Sequence, residues 1–290
     1  MRAIATVGFI GLGVMGEPMC ANLKRKSGLT VLAYDMRNEP IQRLVEHGVQ
    51  GASLQDIARR ADVILLSLPD GKAVQAVIEG LAPHLAAGQC VVDMSTAPVA
   101  LARELGERLG AQGVYFADAP VARTREAALR GDLSITVGAT EELFAHLTAL
   151  LGHMGSDVTH CGPVGTGQVV KILNNMLVFE NTCATAEAIA LGRRNGVEPE
   201  KLLSAIAKGS GDSFVVRNHG MKAMVPELYP ERAFSTLYAM KDLSYALLMA
   251  DEAGLAVEGA RLTMKRFEAS VQAGNAENYH PAVRDVIDPK

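Results

Sequence analysis

A short β-rich run, Val7-Gly8-Phe9-Ile10, feeds Gly11, and two further glycines follow at Gly13 and Gly16 before a helical pattern over residues 17–26. This Gly-x-Gly-x-x-Gly arrangement between a strand and a helix constrains the fold more than any other feature of the chain. Without a Cβ at Gly11 and Gly13 the backbone can turn tightly and approach a pyrophosphate, which then rests on the positive N-terminus of the helix. Gly11, Leu12, Gly13, Val14 and Met15 are therefore the expected cofactor cradle. A second β-rich run over residues 30–34 ends at Asp35, where a carboxylate would accept hydrogen bonds from an adenosine ribose and repel a 2′-phosphate. That favours NAD(H) over NADP(H), a preference that the neighbouring Arg37 softens. A glycine turn without a ligand is the bland alternative, but strand, helix and acid together disfavour it.

Four more β-rich runs, over residues 63–68, 90–94, 114–117 and 133–137, alternate with helical patterns. Several are apolar on both faces, as expected of parallel strands covered by helices on both sides. The expected fold class is α/β: an N-terminal Rossmann domain with a doubly wound parallel sheet, followed by an all-α domain. From Gly165 onward the strand signal disappears, and the pattern predicts a long helix over 166–195 and amphipathic helices near 198–208, 237–254 and 256–273. The turn Cys161-Gly162-Pro163-Val164-Gly165 places the boundary between a dinucleotide-binding domain, 1–163, and a helical domain for substrate and oligomerisation, 164–290. Ligands in such sheets collect at the carboxyl ends of strands. Leu68 falls at one such end and is an expected cofactor contact. Ser95 and Thr96 fall at another, with hydroxyls for substrate and nicotinamide respectively. The competing duty for either hydroxyl is to cap the helix expected to start at Pro98.

The formal charge of -4 gives no basic field for nucleic acid and no Lys/Arg block for an anionic membrane. Cys20, Cys90, Cys161 and Cys183 contain no C-x-x-C pair and read as buried thiols in a reducing compartment. With no signal or transit pattern at the N-terminus, a cytoplasmic location is expected. His153, His160, His219 and His280 lack ligand spacing and read as surface or capping residues, so no metal is expected.

The almost wholly apolar run over residues 164–178 contains Lys171, Asn174 and Asn175, which are costly to bury unless something binds them. They also argue against a membrane span in the longest helix. On a helix, residues 171 and 175 lie one turn apart, with 174 beside them. A lysine with an amide at that spacing can protonate a developing alkoxide while the amide holds a substrate hydroxyl or carboxylate. A snorkelling lysine beside helix-packing amides satisfies the spacing equally well.

The runs Gly8-Phe9-Ile10-Gly11-Leu12-Gly13-Val14-Met15-Gly16-Glu17-Pro18-Met19, Asp93-Met94-Ser95-Thr96, Asp118-Ala119-Pro120-Val121, the Gly-x-Gly-x-x-x-Lys-x-x-Asn-Asn stretch ending at Asn175, and Lys241-Asp242-Leu243 resemble the β-hydroxyacid dehydrogenase family, to which 3-hydroxyisobutyrate dehydrogenase belongs. The resemblance spans essentially the whole chain in order. It implies NAD-linked hydride transfer between a nicotinamide and a small hydroxy acid or semialdehyde. Lys171 would be the general acid/base, Asn175 its substrate-holding neighbour, and Lys241 would reach toward cofactor and substrate. It also implies a helical domain that makes the subunit interface. The apolar circumference of the long helix agrees with a homodimer or homotetramer.

One departure bears on the substrate. Where most of the family reads Ser-Gly-Gly after Asp-Ala-Pro-Val, this chain has Ala122-Arg123-Thr124. A guanidinium beside a threonine hydroxyl suits a three-oxygen anion such as sulfonate or phosphate. The loop resembles that of the family's 3-sulfolactaldehyde reductases, which interconvert 3-sulfolactaldehyde and 2,3-dihydroxypropane-1-sulfonate. The expected substrate is thus sulfonate-bearing, with Arg123, Thr124, Ala122, Ser95, Asn174, Asn175 and Lys241 around it. Val178 stands where such a reductase is expected to carry a serine. The alternatives are an Arg123 turned outward to a carboxylate such as Glu126, with a carboxylate substrate of the 3-hydroxyisobutyrate, tartronate semialdehyde or succinic semialdehyde type, or, in another class, a non-catalytic dinucleotide-binding interaction module.

Overall fold

In the computed structural model, which describes residues 1–231 and 233–289, the alternating β and helical patterns of the N-terminal half form one sheet. Its strands are β1 (Thr6–Ile10), β2 (Thr30–Tyr34), β3 (Gln50–Gly51), β4 (Val63–Leu66), β5 (Cys90–Asp93), β6 (Tyr115–Asp118), β7 (Val121–Ala122), β8 (Leu133–Gly138) and β9 (Gly155–Gly162). The first six lie parallel in the order β3-β2-β1-β4-β5-β6, the doubly wound Rossmann order. β8 runs antiparallel to β6 and β7 and pairs in parallel with β9. The crossovers carry α1 (Gly16–Ser27), α2 (Asn38–Val45), α3 (Leu54–Arg60), α4 (Gly71–Leu81), α5 (Val99–Gly110), α6 (Arg125–Arg130) and α7 (Glu141–Leu151).

Alternate side chains of the strands enter two separate cores, so the strands read as continuous apolar runs. Val7, Phe9, Leu65 and Val92 pack with Met19 and Leu23 of α1 and Leu143 and Leu147 of α7. On the opposite face Ile64, Leu66, Val91 and Phe116 pack with Ile57 of α3, Ile78 of α4 and Leu105 of α5. Each such fully buried side chain contributes roughly 1.5–3 kcal/mol. β9 is a strand that the sequence pattern does not announce: Ser156, Asp157, Thr159 and His160 break any apolar run.

The chain divides into two compact units, Met1–Lys171 and Ile172–Lys290. The changeover falls inside α8 (Thr166–Arg194) rather than at the expected turn over 161–165, because the first turn of this helix is bound to the sheet. The second unit continues with α9 (Pro199–Ile206), a π-helical segment Val216–Met224, α10 (Thr236–Glu252), α11 (Glu258–Gln272), a 3-10 turn His280–Val283 and α12 (Arg284–Ile287). Ala186 and Ile189 of α8 pack with Leu203, Val216 and Met224. A second cluster is aromatic: His280, fully buried rather than a surface or capping residue, lies among the rings of Phe179, Phe234, Phe267 and Tyr279, where its ring packs as one more aromatic. The tail of this unit is anchored through buried Asp288, whose carboxylate binds Arg193 at 2.5 Å and Arg194 at 2.8 Å.

No helix among the described residues is long and apolar enough to cross a membrane. All four cysteines are free thiols. Burial pushes Cys90 and Cys183 up to about 11 and Cys20 higher still; it raises Cys161 as well, although this thiol is partly exposed rather than buried as expected.

Candidate active site

The three fingerprint glycines have three different surroundings. Gly11 has φ +93°, and a Cβ there would lie 2.2 Å from the Ser67 carbonyl, so only glycine permits the turn. A Cβ at Gly16 would lie 2.0 Å from the Gly11 carbonyl, which explains how α1 starts tight against the loop. Gly13 alone faces open space, with nothing within 4 Å of its missing Cβ. No side chain caps the start of α1. Its N–H groups and the clear space at Gly13 fit a dinucleotide pyrophosphate at Leu12, Val14 and Met15, which join these glycines.

Asp35, at the end of β2, accepts from the Leu12 N–H at 2.7 Å through Oδ2 and from the Arg37 N–H at 2.9 Å through Oδ1. Arg37 Nε lies 3.3 Å from Oδ1. The carboxylate expected to read the ribose ties the glycine loop to β2. The Ser95 hydroxyl accepts from the Leu68 N–H at 2.9 Å, joining the loop after β4 to the loop after β5. Neither Ser95 nor Thr96 caps α5, whose N-cap is Pro98 without a side-chain bond. Thr96 is half-buried beside them.

The start of α8 is fixed by residues that the sequence pattern does not single out. Asp118, fully buried at the end of β6, accepts from the Gly165 N–H at 2.6 Å through Oδ1 and from the Gln168 N–H at 2.7 Å through Oδ2. Gln168, also fully buried, donates from Nε2 to the Ser95 carbonyl at 2.8 Å and accepts from the Ala97 N–H at 3.1 Å. The loop holding Ser95 and Thr96 is therefore bonded directly to the helix turn that precedes Lys171. Lys171 follows in the second turn of α8, half-buried.

One turn further along α8, the second unit contains a polar network of its own. Asn174 Nδ2 donates to Asn175 Oδ1 at 3.1 Å, and Asn175 Nδ2 donates to Asp242 Oδ2 at 2.6 Å. Lys241 Nζ lies 3.0 Å from the other oxygen of Asp242 and 4.1 Å from the centre of the Tyr238 ring. Asn175 and Asp242 are buried, so the amide is presented in a fixed orientation. Asp242 is a site residue that the reading of individual roles missed; its only signal was adjacency to Lys241.

Arg123 is placed differently from the expectation of an anion anchor. Its Nη1 donates to the Asp132 carbonyl at 2.8 Å and to Ser156 Oγ at 2.8 Å, with Asp132 Oδ1 at 3.2 Å, and its Nη2 binds Asp157. The guanidinium faces the carboxylates of Asp132 and Asp157. The physical reason is β9, which brings Ser156 and Asp157 beside the loop. Arg123 has φ +86°, a left-handed conformation that glycine adopts freely and arginine does not. Thr124 caps α6, its hydroxyl accepting from the Ala127 N–H at 3.4 Å. Ala122 pairs with Ser134 across β7 and β8. Among the described residues, no group of three or more His, Cys, Asp or Glu side chains is gathered as metal ligands.

Comparison with known proteins places this geometry. The family described as the NAD binding domain of 6-phosphogluconate dehydrogenase matches residues 6–162. The NAD-binding family of NADP-dependent 3-hydroxyisobutyrate dehydrogenase matches residues 165–287. The chain belongs to the 3-hydroxyisobutyrate dehydrogenase-like family. It is an NAD-binding hydroxyacid dehydrogenase. Among its relatives, 2-(hydroxymethyl)glutarate dehydrogenase of Eubacterium barkeri is 34% identical, over 94% of this chain and 92% of its own. 3-Hydroxyisobutyrate dehydrogenase of Pseudomonas aeruginosa is also 34% identical, over 92% of each chain. The NAD-dependent L-serine dehydrogenase of the same organism is 32% identical over 98% of each. In structure, the chain resembles Mycobacterium tuberculosis 3-hydroxyisobutyrate dehydrogenase, solved with L-serine, at a TM-score of 0.90 and 27% identity, covering 98% of this chain and 99% of that one.

Proposed function

We propose that this protein catalyses the reversible NAD(H)-linked oxidation of a small 3-hydroxy acid, held through its carboxylate, with Lys171 as the proton carrier. The observation that carries the reading is the single helix α8, bonded at its first turn to the Ser95–Ala97 loop and bearing Lys171 and then Asn175. The nicotinamide cofactor, when bound, supplies or accepts the hydride. Lys171 gives its proton to the carbonyl oxygen in reduction and takes one back in oxidation. Asn175, oriented by Asp242, offers its amide to the substrate, and the fixed orientation lowers the entropic cost of alignment.

A carboxylate fits better than a sulfonate because the charge of Arg123 is already balanced by Asp132 and Asp157. An anion would have to displace these pairs. The glycine-like φ of Arg123 leaves the loop over 122–124 with the backbone course of a glycine loop, so its N–H groups can serve the substrate carboxylate. The named substrates of three relatives, 2-(hydroxymethyl)glutarate, 3-hydroxyisobutyrate and L-serine, share a hydroxymethyl group next to a carbon that bears a carboxylate. We take that unit as the substrate class. The sulfonate reading rests on the presence of arginine where most of the family has glycine.

NAD(H) is favoured over NADP(H) by Asp35 at the end of β2. Exposed Leu173, Leu177 and Leu191 on α8 support a homodimer or homotetramer built on the helical unit.

The test is kinetic. Turnover is measured on 3-hydroxyisobutyrate, L-serine, 2-(hydroxymethyl)glutarate and 2,3-dihydroxypropane-1-sulfonate, with wild type and Lys171→Met. The expected result is a highest kcat/KM on one of the carboxylates and a loss of at least ~10² in turnover for the variant. A Lys171→Met enzyme that kept most of its rate would overturn the mechanism, and a preference for the sulfonate would overturn the substrate class.

A further inference from the structure

Asp118 accepts N–H groups of the first turn of α8 from a strand far away in sequence, and the fold makes room for its carboxylate on two sides. A Cβ at Gly138 would lie 2.3 Å from Asp118 Oδ1, and a Cβ at Gly167 would lie 2.8 Å from Oδ2 and 2.5 Å from the Thr136 carbonyl. Two elements therefore carry glycine where any side chain would collide with this one carboxylate. The neighbouring charged and titratable groups include Asp93, opposite Asp118 in the β5–β6 ladder, Arg103, whose stem packs against Gly165, and Cys161, whose thiol is raised in part by the charge of Asp118. Burial pushes the carboxyl of Asp118 upward, opposed by hydrogen bonds from the backbone of Gly165 and Gln168.

The positive field of the N-terminal N–H groups falls off within the first turn of a helix, so a lysine at the start of the second turn feels its remainder, which disfavours the protonated form. A carboxylate bonded to those N–H groups cancels part of that field. We propose that Asp118 is a positioning residue for Lys171: it fixes the first turn of the helix that carries the lysine and supplies negative charge at that helix end. Gln168 completes the arrangement by joining the same turn to the Ser95–Ala97 loop. The proposal rests on the reading of Lys171 as proton carrier.

The test is Asp118→Asn, which keeps the shape, removes the charge and sets an NH2 donor against one of two backbone donors. With the best carboxylate substrate, the expected result is a kcat about tenfold lower and a limb of the kcat–pH profile moved down by about one pH unit, with the Kd for NADH within about twofold of wild type. Gln89→Leu is the structural control. Gln89 is fully buried and bonds the Ala58 and Ala61 carbonyls, so its loss should lower Tm and leave the pH profile alone. If Asp118→Asn lowers Tm but keeps the wild-type profile, or weakens NADH binding as much as it lowers kcat, the inference is wrong. If Asp118→Asn does not fold, Gln168→Met and Asp118→Ser decide. Gln168→Met removes two side-chain bonds while leaving the backbone N–H on Asp118, and an unchanged kcat would remove Gln168 from the arrangement; Asp118→Ser, smaller and uncharged, then tests the acid itself, and a wild-type kcat–pH profile would overturn the inference. An active Lys171→Met enzyme would instead remove the underlying reading. An inactive one beside an unaltered Asp118→Asn profile would remove this inference alone.

Discussion

Asn175 donates to Asp242 at 2.6 Å, and the same carboxylate meets Lys241 at 3.0 Å, so one buried acid holds two candidate substrate-binding groups. Removing it leaves the Asn175 amide without its acceptor, at a cost of roughly 1–3 kcal/mol, while Lys241 can turn toward water. Asp242→Ala should lower both Tm and kcat/KM, the latter by about 10²-fold, and Asp242→Asn should lose less. Thermal melts and steady-state kinetics on both variants check this; wild-type kcat/KM in Asp242→Ala would mean that the network is idle in catalysis.

Arg123 combines a left-handed backbone with exposed ion pairs, two effects of opposite sign. The backbone costs about 1–3 kcal/mol for a residue other than glycine, and each exposed pair contributes about 0–1 kcal/mol. Arg123→Gly should therefore match or exceed wild type in Tm, and Arg123→Ala should fall below both. On carboxylate substrates Arg123→Gly should stay within about threefold in kcat/KM. A loss of about 30-fold or more confined to the sulfonate would return Arg123 to the role of anion anchor.

Asp35 holds the glycine loop through the Leu12 N–H and, in the proposed function, also reads the ribose, so its replacement has two expected consequences. Asp35→Ser should reduce kcat/KM with NADH by about tenfold and narrow the gap to NADPH, with the free Arg37 helping the 2′-phosphate. Parallel assays with the two cofactors give the ratio. A wild type that prefers NADPH would refute the assignment.

Burial pushes His219 down to about 4 and His280 well below its ordinary value of 6.5. Both are neutral in the fold and gain protons more readily when unfolded. The unfolded chain then binds more protons from about pH 6.5 downward, so stability falls as pH falls through that window toward 4. His280→Phe, in a cage of Phe179, Phe234 and Phe267, should move the acid-unfolding midpoint to lower pH. Circular dichroism against pH would show it; an unmoved midpoint would place the acid sensitivity elsewhere.

The sequence was most legible where period and composition act locally. β1 and β2 follow from runs of five apolar or β-branched residues, and α8 from an unbroken helical pattern that ends at Arg194. β9 was hidden because its outward residues are polar and its pairing partner, β8, lies on the far side of α7 in sequence. That omission also hid the fate of Arg123, since Ser156 and Asp157 belong to β9. Lys171 and Asn175 stood out as polar groups in an apolar run. Asp118, Gln168 and Asp242 did not, because their roles consist of hydrogen bonds to residues that only the fold brings near. The π-helical turn over Val216–Met224 left no periodic mark at all.

The cysteines turn this chain into a convenient object for spectroscopy. Three thiols are sealed in the cores and held protonated by burial, while Cys161 is partly exposed at the end of β9, just ahead of the turn into α8. Burial raises the Cys161 thiol too, so the selectivity comes from access: a maleimide probe at alkaline pH would favour this one position, without any prior cysteine removal. The attached fluorophore or spin label would sit a few residues before the helix that carries Lys171, and could follow substrate and cofactor binding in the wild-type protein.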